Sequence, residues 1–364
     1  MNAYIVDAAA LRGNVRALQK RAGDAELWCV LKANAYGLGL LPMAKLLSEC
    51  GVNRFAVTRC EEVQALRNAG YTEAHILMLR PTNDAQEIRR LIELGAILTV
   101  SSQDDAAVVN GVAAQLHTVC EAHIKIDTGM GRYGFHPNEV DKLLPVYGYM
   151  DGIAVSGIYS HFHSAFCSKK ATAEQFARFQ SVLKAITDAG YETGTPHICN
   201  STALLRFPEY RLGGVRVGSA LLGRFACKDS FGLSRIGHAE ASVDELRWLS
   251  AGQSTGYGAA WKAKKPTRIA VLPIGYYHGF GCKIGDDLFG LRDRLRSAAH
   301  AVKSLLFYHP LTVTLNGKKC RVLGHVGMLH TVIDVTNCPC SLGDRAVLDF
   351  NPILLRGMDI IYKE

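Results

Sequence analysis

The feature that most narrows the fold is a repeated cadence. Between about residues 10 and 235, eight short apolar runs ending in polar or glycine residues alternate with segments whose apolar residues recur three or four apart. The runs are "LWCVLKA", "RFAVTR", "HILMLR", "AILTVSS", "EAHIKIDTG", "VSGIYSH", "HICNS" and "GVRVG". Between them lie helical patterns such as "CEEVQALRNAG", "NDAQEIRRLIELG" and "TAEQFARFQSVLKAITDAG", each stopped by a glycine. Parallel strands need a crossover, usually a helix, whereas antiparallel neighbours need only a turn. Strands spaced so regularly by helices predict a parallel sheet, and about eight of them predict a (β/α)8 barrel with its chemistry at the carboxyl ends of the strands.

Beyond about residue 236 the text changes to "ASVDELRWLSAG", "TRIAVLPIGY", "LTVTLNGKKCRVLGHVG", "HTVIDVT" and "DRAVLDF", rich in β-branched residues and carrying the hairpin signal "NGK". The fold class is therefore α/β: a barrel domain over residues 1–235 and a mainly β domain over 236–364. A length of 364 residues, 48% of them hydrophobic, suits two cores better than one. A basic, helical stretch, "DDLFGLRDRLRSAAHAVKSLLFYHP", interrupts the β pattern at about 282–310.

The net charge is +8, but the 41 basic residues are scattered among 33 acidic ones, so no basic arm or stripe points to nucleic acid. The opening "MNAYIVDAAALRGNVRALQK" lacks a basic start followed by an apolar stretch, and nothing later approaches the length of a membrane span. The expectation is a cytoplasmic protein without a membrane partner. Eleven cysteines, an odd number without regular spacing, suit reduced thiols. Cys338 and Cys340 in "NCPCSLGD" have no second pair to complete a metal site and read as a surface turn.

Several of the predicted strands end in reactive polar residues: Lys32 and Tyr36, then Lys125, Asp127 and Arg132, then His161, then Asn200 and Ser201, then Arg216. A barrel brings these to one mouth. Lys32 closes an apolar run, where a buried ammonium is costly unless paired or neutralised. Covalent linkage to an aldehyde cofactor removes that charge.

"VLKANAYGLG" resembles the pyridoxal phosphate lysine motif of bacterial alanine racemases, and the likeness continues through "HIKIDTGMGRYGF", "GIYSHFHSA", "HICNSTALLRF", "GGVRVGSALLGRF", "STGYGAAW" and "VLPIGYYHG", in that family's order. The resemblance implies a barrel with a C-terminal β domain, the cofactor pyridoxal 5'-phosphate, and racemisation of alanine by two bases. Lys32 would bear the cofactor and act on the D-amino acid, Tyr257 on the L-amino acid. Tyr36, Ser201 and the backbone around Gly218 and Ser219 would hold the cofactor's phosphate, with Ser201 also capping a helix, and Asn200 would be a further cofactor-binding residue. His161 would pack against the cofactor ring and Arg216 face its nitrogen. A guanidinium does not readily supply a proton, so the ring nitrogen should stay unprotonated, and proton removal must be matched closely by proton return. His161, Arg216 and His197 would form a linked chain that lowers the pKa of Tyr257, since a free phenol near 10 is a poor base at neutral pH. Arg132 would bind the cofactor's phenolic oxygen and the substrate carboxylate, with Met328 and Tyr276 beside the substrate. Lys125 would orient Arg132; in some members of the family the equivalent lysine is carbamylated. Tyr257 would enter the neighbouring subunit's site, making a homodimer the smallest active unit. His163 gains no role, and no metal role is expected of the His161–His163 pair.

Three departures lie in the part that would shape the substrate entrance. The family's GYADG is "GYYHG" here, with His278; the aspartate after the methionine is Leu329; and the tail tyrosine that usually touches the phosphate is Leu355 by spacing. A changed pocket wall alters side-chain preference by roughly 1 to 3 kcal/mol per group. Serine or broader racemisation stands beside alanine, and a pyridoxal phosphate-binding protein without turnover is the other alternative. A diamino acid decarboxylase would share the barrel and lysine, but Tyr257 in its racemase motif argues against it.

Overall fold

The structure, a computed structural model, describes residues 2–225, 227, 229–283, 290–306 and 310–364. The chain forms two compact units, one of Asp7–Ile236 with the terminal Glu364, the other of the residues up to Val6 with Gly237–Lys363. The first strand, β1 (Asn2–Asp7), pairs antiparallel with β10 (Gly237–Ser242). This corrects the 1–235 division expected from sequence. The buried stretch Ala3–Val6 has an open edge to join in the β unit, whereas the parallel sheet of the other unit is complete without it. The chain changes units at Asp7, whose carboxylate caps the helix Ala8–Ala22 by accepting the Ala10 N–H at 2.8 Å.

The larger unit holds eight parallel strands: β2 (Glu26–Val30), β3 (Arg54–Val57), β4 (His75–Met78), β5 (Leu98–Val100), β6 (Cys120–Lys125), β7 (Ile153–Tyr159), β8 (Thr195–Cys199) and β9 (Gly214–Val217). Every predicted run overlaps one of them. Their order is β4-β3-β2-β9-β8-β7-β6-β5, and the Leu77↔Ile97 bridge joins the two ends, so the sheet closes on itself. Met78 donates to the Ile97 carbonyl at 2.9 Å and Ile97 to that of Ile76 at 2.9 Å. The interior is divided by chemistry. Across β2 to β5 it is apolar, with Trp28, Val30, Ala56, Leu77 and Ile97 in one cluster. Across β6 to β9 it buries His123, Lys125, His197 and Arg216. Buried polar groups need partners, so this half carries a network.

The smaller unit contains β10 with β11 (Glu245–Leu249), β12 (Ser254–Thr255), β13 (Trp261–Lys262), β14 (Thr267–Leu272), β15 (Thr312–Leu315), β16 (Lys318–Arg321), β17 (Thr331–Asp334), β18 (Arg345–Leu348) and β19 (Asp359–Lys363). They form a six-stranded sheet, β16-β15-β18-β10-β1-β19, a three-stranded sheet, β11-β14-β17, and the pair β12-β13. The "NGK" signal is the β15–β16 hairpin, where Asn316 (φ 48°) and Gly317 (φ 75°) supply the two positive φ angles of a tight two-residue turn. The basic insertion forms the helix Leu291–Leu306, while other parts of 282–310 lie outside the described residues. Among the described residues no helix is long and apolar enough to cross a membrane.

Candidate active site

A cavity of about 630 Å³ opens at the carboxyl ends of the barrel strands. Its first wall follows β2. Lys32 starts a turn in which Ala33, Asn34, Ala35 and Tyr36 have φ of 55°, 55°, 52° and 57°, a left-handed turn without a glycine. Such residues cost roughly 1 to 2 kcal/mol each, so the surroundings must over-determine the conformation. They do: Ala35 donates to the Leu31 carbonyl at 2.7 Å, Gly37 to that of Ala33 at 3.0 Å, and the Asn34 side chain accepts the Leu40 N–H at 2.8 Å. One left-handed turn has the same number of residues as a right-handed one, which returns Tyr36 to the side occupied by Lys32. Both line the cavity. Lys32 is exposed into it, not buried, and makes no hydrogen bond or ion pair among the described residues. Desolvation at the wall, with help from the charge of Arg132, lowers its pKa below the ordinary lysine value.

Five cationic side chains, Lys32, Arg80, Lys125, Arg132 and Arg216, line the cavity and no carboxylate does. The site is built for anions. Arg216, on β9 and 3% exposed, is the most constrained. Its Nη1 donates to His197 Nδ1 at 2.6 Å and to the His197 carbonyl at 3.0 Å, and its Nη2 donates to the Ser160 carbonyl at 2.5 Å and, at 3.4 Å, to His161 Nδ1. Burial pulls the guanidinium down to about 10, still cationic at neutral pH. Burial, then the charge of Arg216, holds both histidines well below the ordinary imidazole value. Neutral and accepting at Nδ1, each carries its proton on Nε2. His197 Nε2 lies 2.9 Å from His123 Nδ1, so the chain runs from Arg216 through His197 to His123. Burial lowers His123 to about 3, with Arg216 adding to the shift.

Two members of this network escaped the sequence reading. His123 alternates with Lys125 on β6, the position expected of an inward residue. Tyr159 ends β7; its ring stacks on His197 with centroids 5.0 Å apart, and Arg216 and Lys125 lie 4.8 and 5.0 Å from its centroid. The Tyr159 hydroxyl donates to the Leu79 carbonyl at 3.2 Å and meets the Thr99 hydroxyl at 2.9 Å. The signal available was an aromatic residue two positions before His161 at a strand end.

Lys125, 5% exposed, donates to the Ile126 carbonyl at 3.1 Å, and burial followed by repulsion from Arg216 pushes it down to about 7. Asp127, grouped by sequence with the reactive strand ends, has a different task. Its carboxylate accepts the N–H groups of Gly129, Met130, Gly131 and Arg132 at 2.7 to 3.1 Å, folding the loop that presents Arg132. Burial alone would raise its pKa, but these four donors outweigh that and lower it. Arg132 reaches the cavity from this loop, its guanidinium carbon 5.9 Å from the centroid of the Tyr133 ring.

Another part of the lining is made of hydroxyls and backbone. Ser201 Oγ accepts from the Gly218 N–H at 3.0 Å and the Ala220 N–H at 3.3 Å. The cap of the helix Ser201–Arg206 is Asn200, not Ser201: Asn200 Oδ1 accepts the Ala203 N–H at 3.0 Å while its Nδ2 donates to the Phe162 carbonyl at 3.0 Å. A side-chain carbon at Gly218 would overlap the Tyr36 hydroxyl, so only glycine leaves room there. Asn200, Ser201, Gly218 and Ser219 line the cavity with Tyr36 and His161; His197 stands behind it, in contact with Arg216.

Tyr257, Tyr276 and Met328 are in the other unit and do not line this cavity. Tyr257 is 81% exposed, in a short turn after Gly256 (φ 83°). Tyr276 and Met328 are exposed as well, on segments joined by the Tyr276 N–H to the Gly327 carbonyl at 3.0 Å and the Tyr277 N–H to the Met328 carbonyl at 3.1 Å. Tyr277 and Leu329 are exposed beside them. His278, one of the departures, is buried, and its Nδ1 accepts the Gly275 N–H at 3.1 Å to close the Tyr276–His278 turn. Leu355 is half-buried, its N–H donating to the Pro352 carbonyl at 2.9 Å. His163 contacts Ser164 Oγ at 2.5 Å. Among the described residues no group of three His, Cys, Asp or Glu side chains is placed to hold a metal ion.

The sequence profile of the alanine racemase N-terminal domain matches residues 6–224, and that of the alanine racemase C-terminal domain matches residues 236–352. An alanine racemase of Desulforamulus reducens is 33% identical over 90% of this chain and 83% of its own length. One of Clostridium perfringens is 32% identical over 94% and 84%. Among solved structures, the alanine racemase from D-cycloserine producing Streptomyces lavendulae superposes with a TM-score of 0.85 at 25% identity, covering 100% of this chain and 97% of that one. That of Bacillus anthracis with bound L-Ala-P gives 0.79 at 26% identity, covering 95% and 85%.

Proposed function

The chain belongs to the alanine racemase family and is a racemase, an isomerase; we propose that it interconverts L- and D-alanine with pyridoxal 5'-phosphate, in a homodimer whose chains share each site. The observation that carries this reading is a lysine of lowered pKa and a buried arginine lining one cavity that has cations and, among the described residues, no carboxylate.

The residues present fit the cofactor. The Tyr36 and Ser201 hydroxyls, brought together at Gly218 on the cavity wall, suit a phosphate dianion. Lys32 supplies the amine for the aldehyde, and Arg216 supplies a fixed cation for the ring nitrogen. When bound, the cofactor supplies the electron sink that makes the amino acid's α-hydrogen acidic.

Arg216 keeps its proton, because its donors are committed to acceptors and its pKa stays near 10. His161, neutral, sets no second positive charge beside it. Arg132, presented by the Asp127 loop, suits the substrate carboxylate through its fork of donors. With the sink held weak by Arg216, Lys32 and Tyr257 remove and return the α-proton on opposite faces, Lys32 for the D-amino acid and Tyr257 for the L-amino acid. The exposure of Tyr257, with Tyr276, Tyr277, Met328 and Leu329, supports its insertion into a second copy of the chain. His161, which lines the cavity beside Arg216, would meet the phenol there and stabilise its ionised form, with His197 acting only through Arg216.

The test is to incubate the cofactor-loaded protein with L-alanine in D2O and follow D-alanine and α-deuterium together. Appearance of both supports the reading; an amine product or no exchange overturns it. Leu329 and Leu355, which replace polar residues of the family, favour a second reading, racemisation of serine or a wider set. Parallel incubations with L-serine separate the two.

A further inference from the structure

The left-handed turn after β2 is fastened by a residue outside the network above. Glu62 sits in the first turn of the helix Cys60–Asn68 and is 8% exposed. Its two oxygens serve different parts of the chain. Oε2 accepts the Thr58 N–H at 3.0 Å, a local contact of the kind that closes a helix N-terminus. Oε1 accepts the Asn34 N–H at 3.1 Å, from a residue 28 positions earlier, inside the turn.

We infer that Glu62 is a positioning residue for this site: its carboxylate locks the Ala33–Tyr36 turn in the left-handed form and thereby sets Lys32 and Tyr36 on one wall of the cavity. The inference rests on the reading of Lys32 and Tyr36 as cofactor residues. None of the four turn residues is glycine and only Asn34 tolerates a positive φ readily, so the local preference of Ala33, Ala35 and Tyr36 opposes the conformation they adopt. A bond from a backbone N–H to an anion is stronger than one to a neutral acceptor, and this one is partly buried. Glutamine at 62 can accept one N–H through its single oxygen but must turn an NH2 group toward the other. Were the turn to relax into right-handed or extended geometry, Tyr36 would leave the side on which Lys32 stands, and the phosphate and amine positions would lose their spacing.

The experiment compares Glu62→Gln, Ala33→Gly and the double variant with wild type, all loaded with pyridoxal phosphate. Glu62→Gln is expected to weaken cofactor affinity about tenfold or more, to alter the visible circular dichroism of the bound cofactor, and to lower kcat with little change in KM. Ala33→Gly, which adopts positive φ freely, is expected to restore most of the loss in the double variant, because it removes the strain that Glu62 opposes. A helix cap lost at residue 62 would not be rescued by a glycine in another segment. Wild-type affinity and dichroism in Glu62→Gln would overturn the proposal, as would equal losses with and without Ala33→Gly. Hydrogen exchange at the Asn34 amide of the folded wild type, expected to be slow, tests the clamp even if Glu62→Gln does not fold; fast exchange there sinks it. Borohydride trapping on wild type judges the cofactor reading separately: absence of label at Lys32 defeats that reading while leaving slow Asn34 exchange to report on the clamp.

Discussion

Arg216 Nη1 donates to His197 Nδ1 at 2.6 Å while the His197 ring lies between Trp28 and Tyr159, with centroids 6.2 and 5.0 Å away. The imidazole is thus both the side-chain acceptor for a buried cation and a packed plate of the barrel core. His197→Ala removes a hydrogen bond to a charged group, worth about 1.5 to 3 kcal/mol, and opens a cavity. We expect a loss of about 3 kcal/mol or more in urea unfolding and a lower affinity for pyridoxal phosphate. A variant of unchanged stability would contradict the network.

Lys32 should behave in the opposite way. It is exposed, without a partner in the fold, so Lys32→Ala is expected to change stability by no more than about 0.5 kcal/mol. The same variant should lose the borohydride-reducible cofactor linkage and racemisation. Mass spectrometry of the reduced, digested protein reads the first outcome; a cofactor adduct that persists at the native site would refute the role given to Lys32.

Periodicity alone gave the barrel, since each strand contributes a compact apolar run and each helix a regular stripe. Periodicity cannot say which sheet a strand joins, and β1 pairs with β10 more than two hundred residues later. The inward polar residues were legible where the residue was a lysine or arginine set in an apolar run, as with Lys32, Lys125 and Arg216. His123 and Tyr159 lie in the same kind of run, where a histidine or an aromatic residue reads equally well as packing. The left-handed turn was hidden for a stronger reason. Alanine and tyrosine disfavour positive φ, and the conformation follows from contacts with Leu40 and with Glu62, the second of which no local window contains. The exposure of Tyr257 agrees with its expected turn, and the site proposed to receive it in a second copy is beyond what one chain's sequence pattern can indicate.

Tyr257 and Lys32 allow a test of shared sites. Tyr257→Phe should leave stability and bound cofactor unchanged, since the side chain is 81% exposed, and should abolish turnover. If each site takes Lys32 from one chain and Tyr257 from the other, mixing inactive Lys32→Ala with inactive Tyr257→Phe creates hybrid dimers with one intact site. Random exchange makes half the dimers hybrid, each with half its sites restored, so activity should return to about a quarter of wild type. No recovery after verified subunit exchange would place both bases in the same chain or remove one of them.

Lys125 provides a pH test with a definite sign. Burial, then Arg216, lowers its folded pKa from 10.5 to about 7, so between those values the unfolded chain binds more protons than the folded one. Stability contributed by Lys125 therefore rises with pH across this window, by at most about 1.4 kcal/mol per pH unit, and is lost as pH falls through 7. Lys125→Met removes the titration and keeps the packing volume roughly constant. Urea unfolding of both proteins at pH 7 and pH 9.5, without cofactor and in bicarbonate-free buffer so that the amine is not carbamylated, should show wild type gaining on the variant as pH rises. Parallel pH profiles would mean that the amine titrates alike in the folded and unfolded chain, and the cationic crowding around Arg216 would then be relieved by some group other than Lys125.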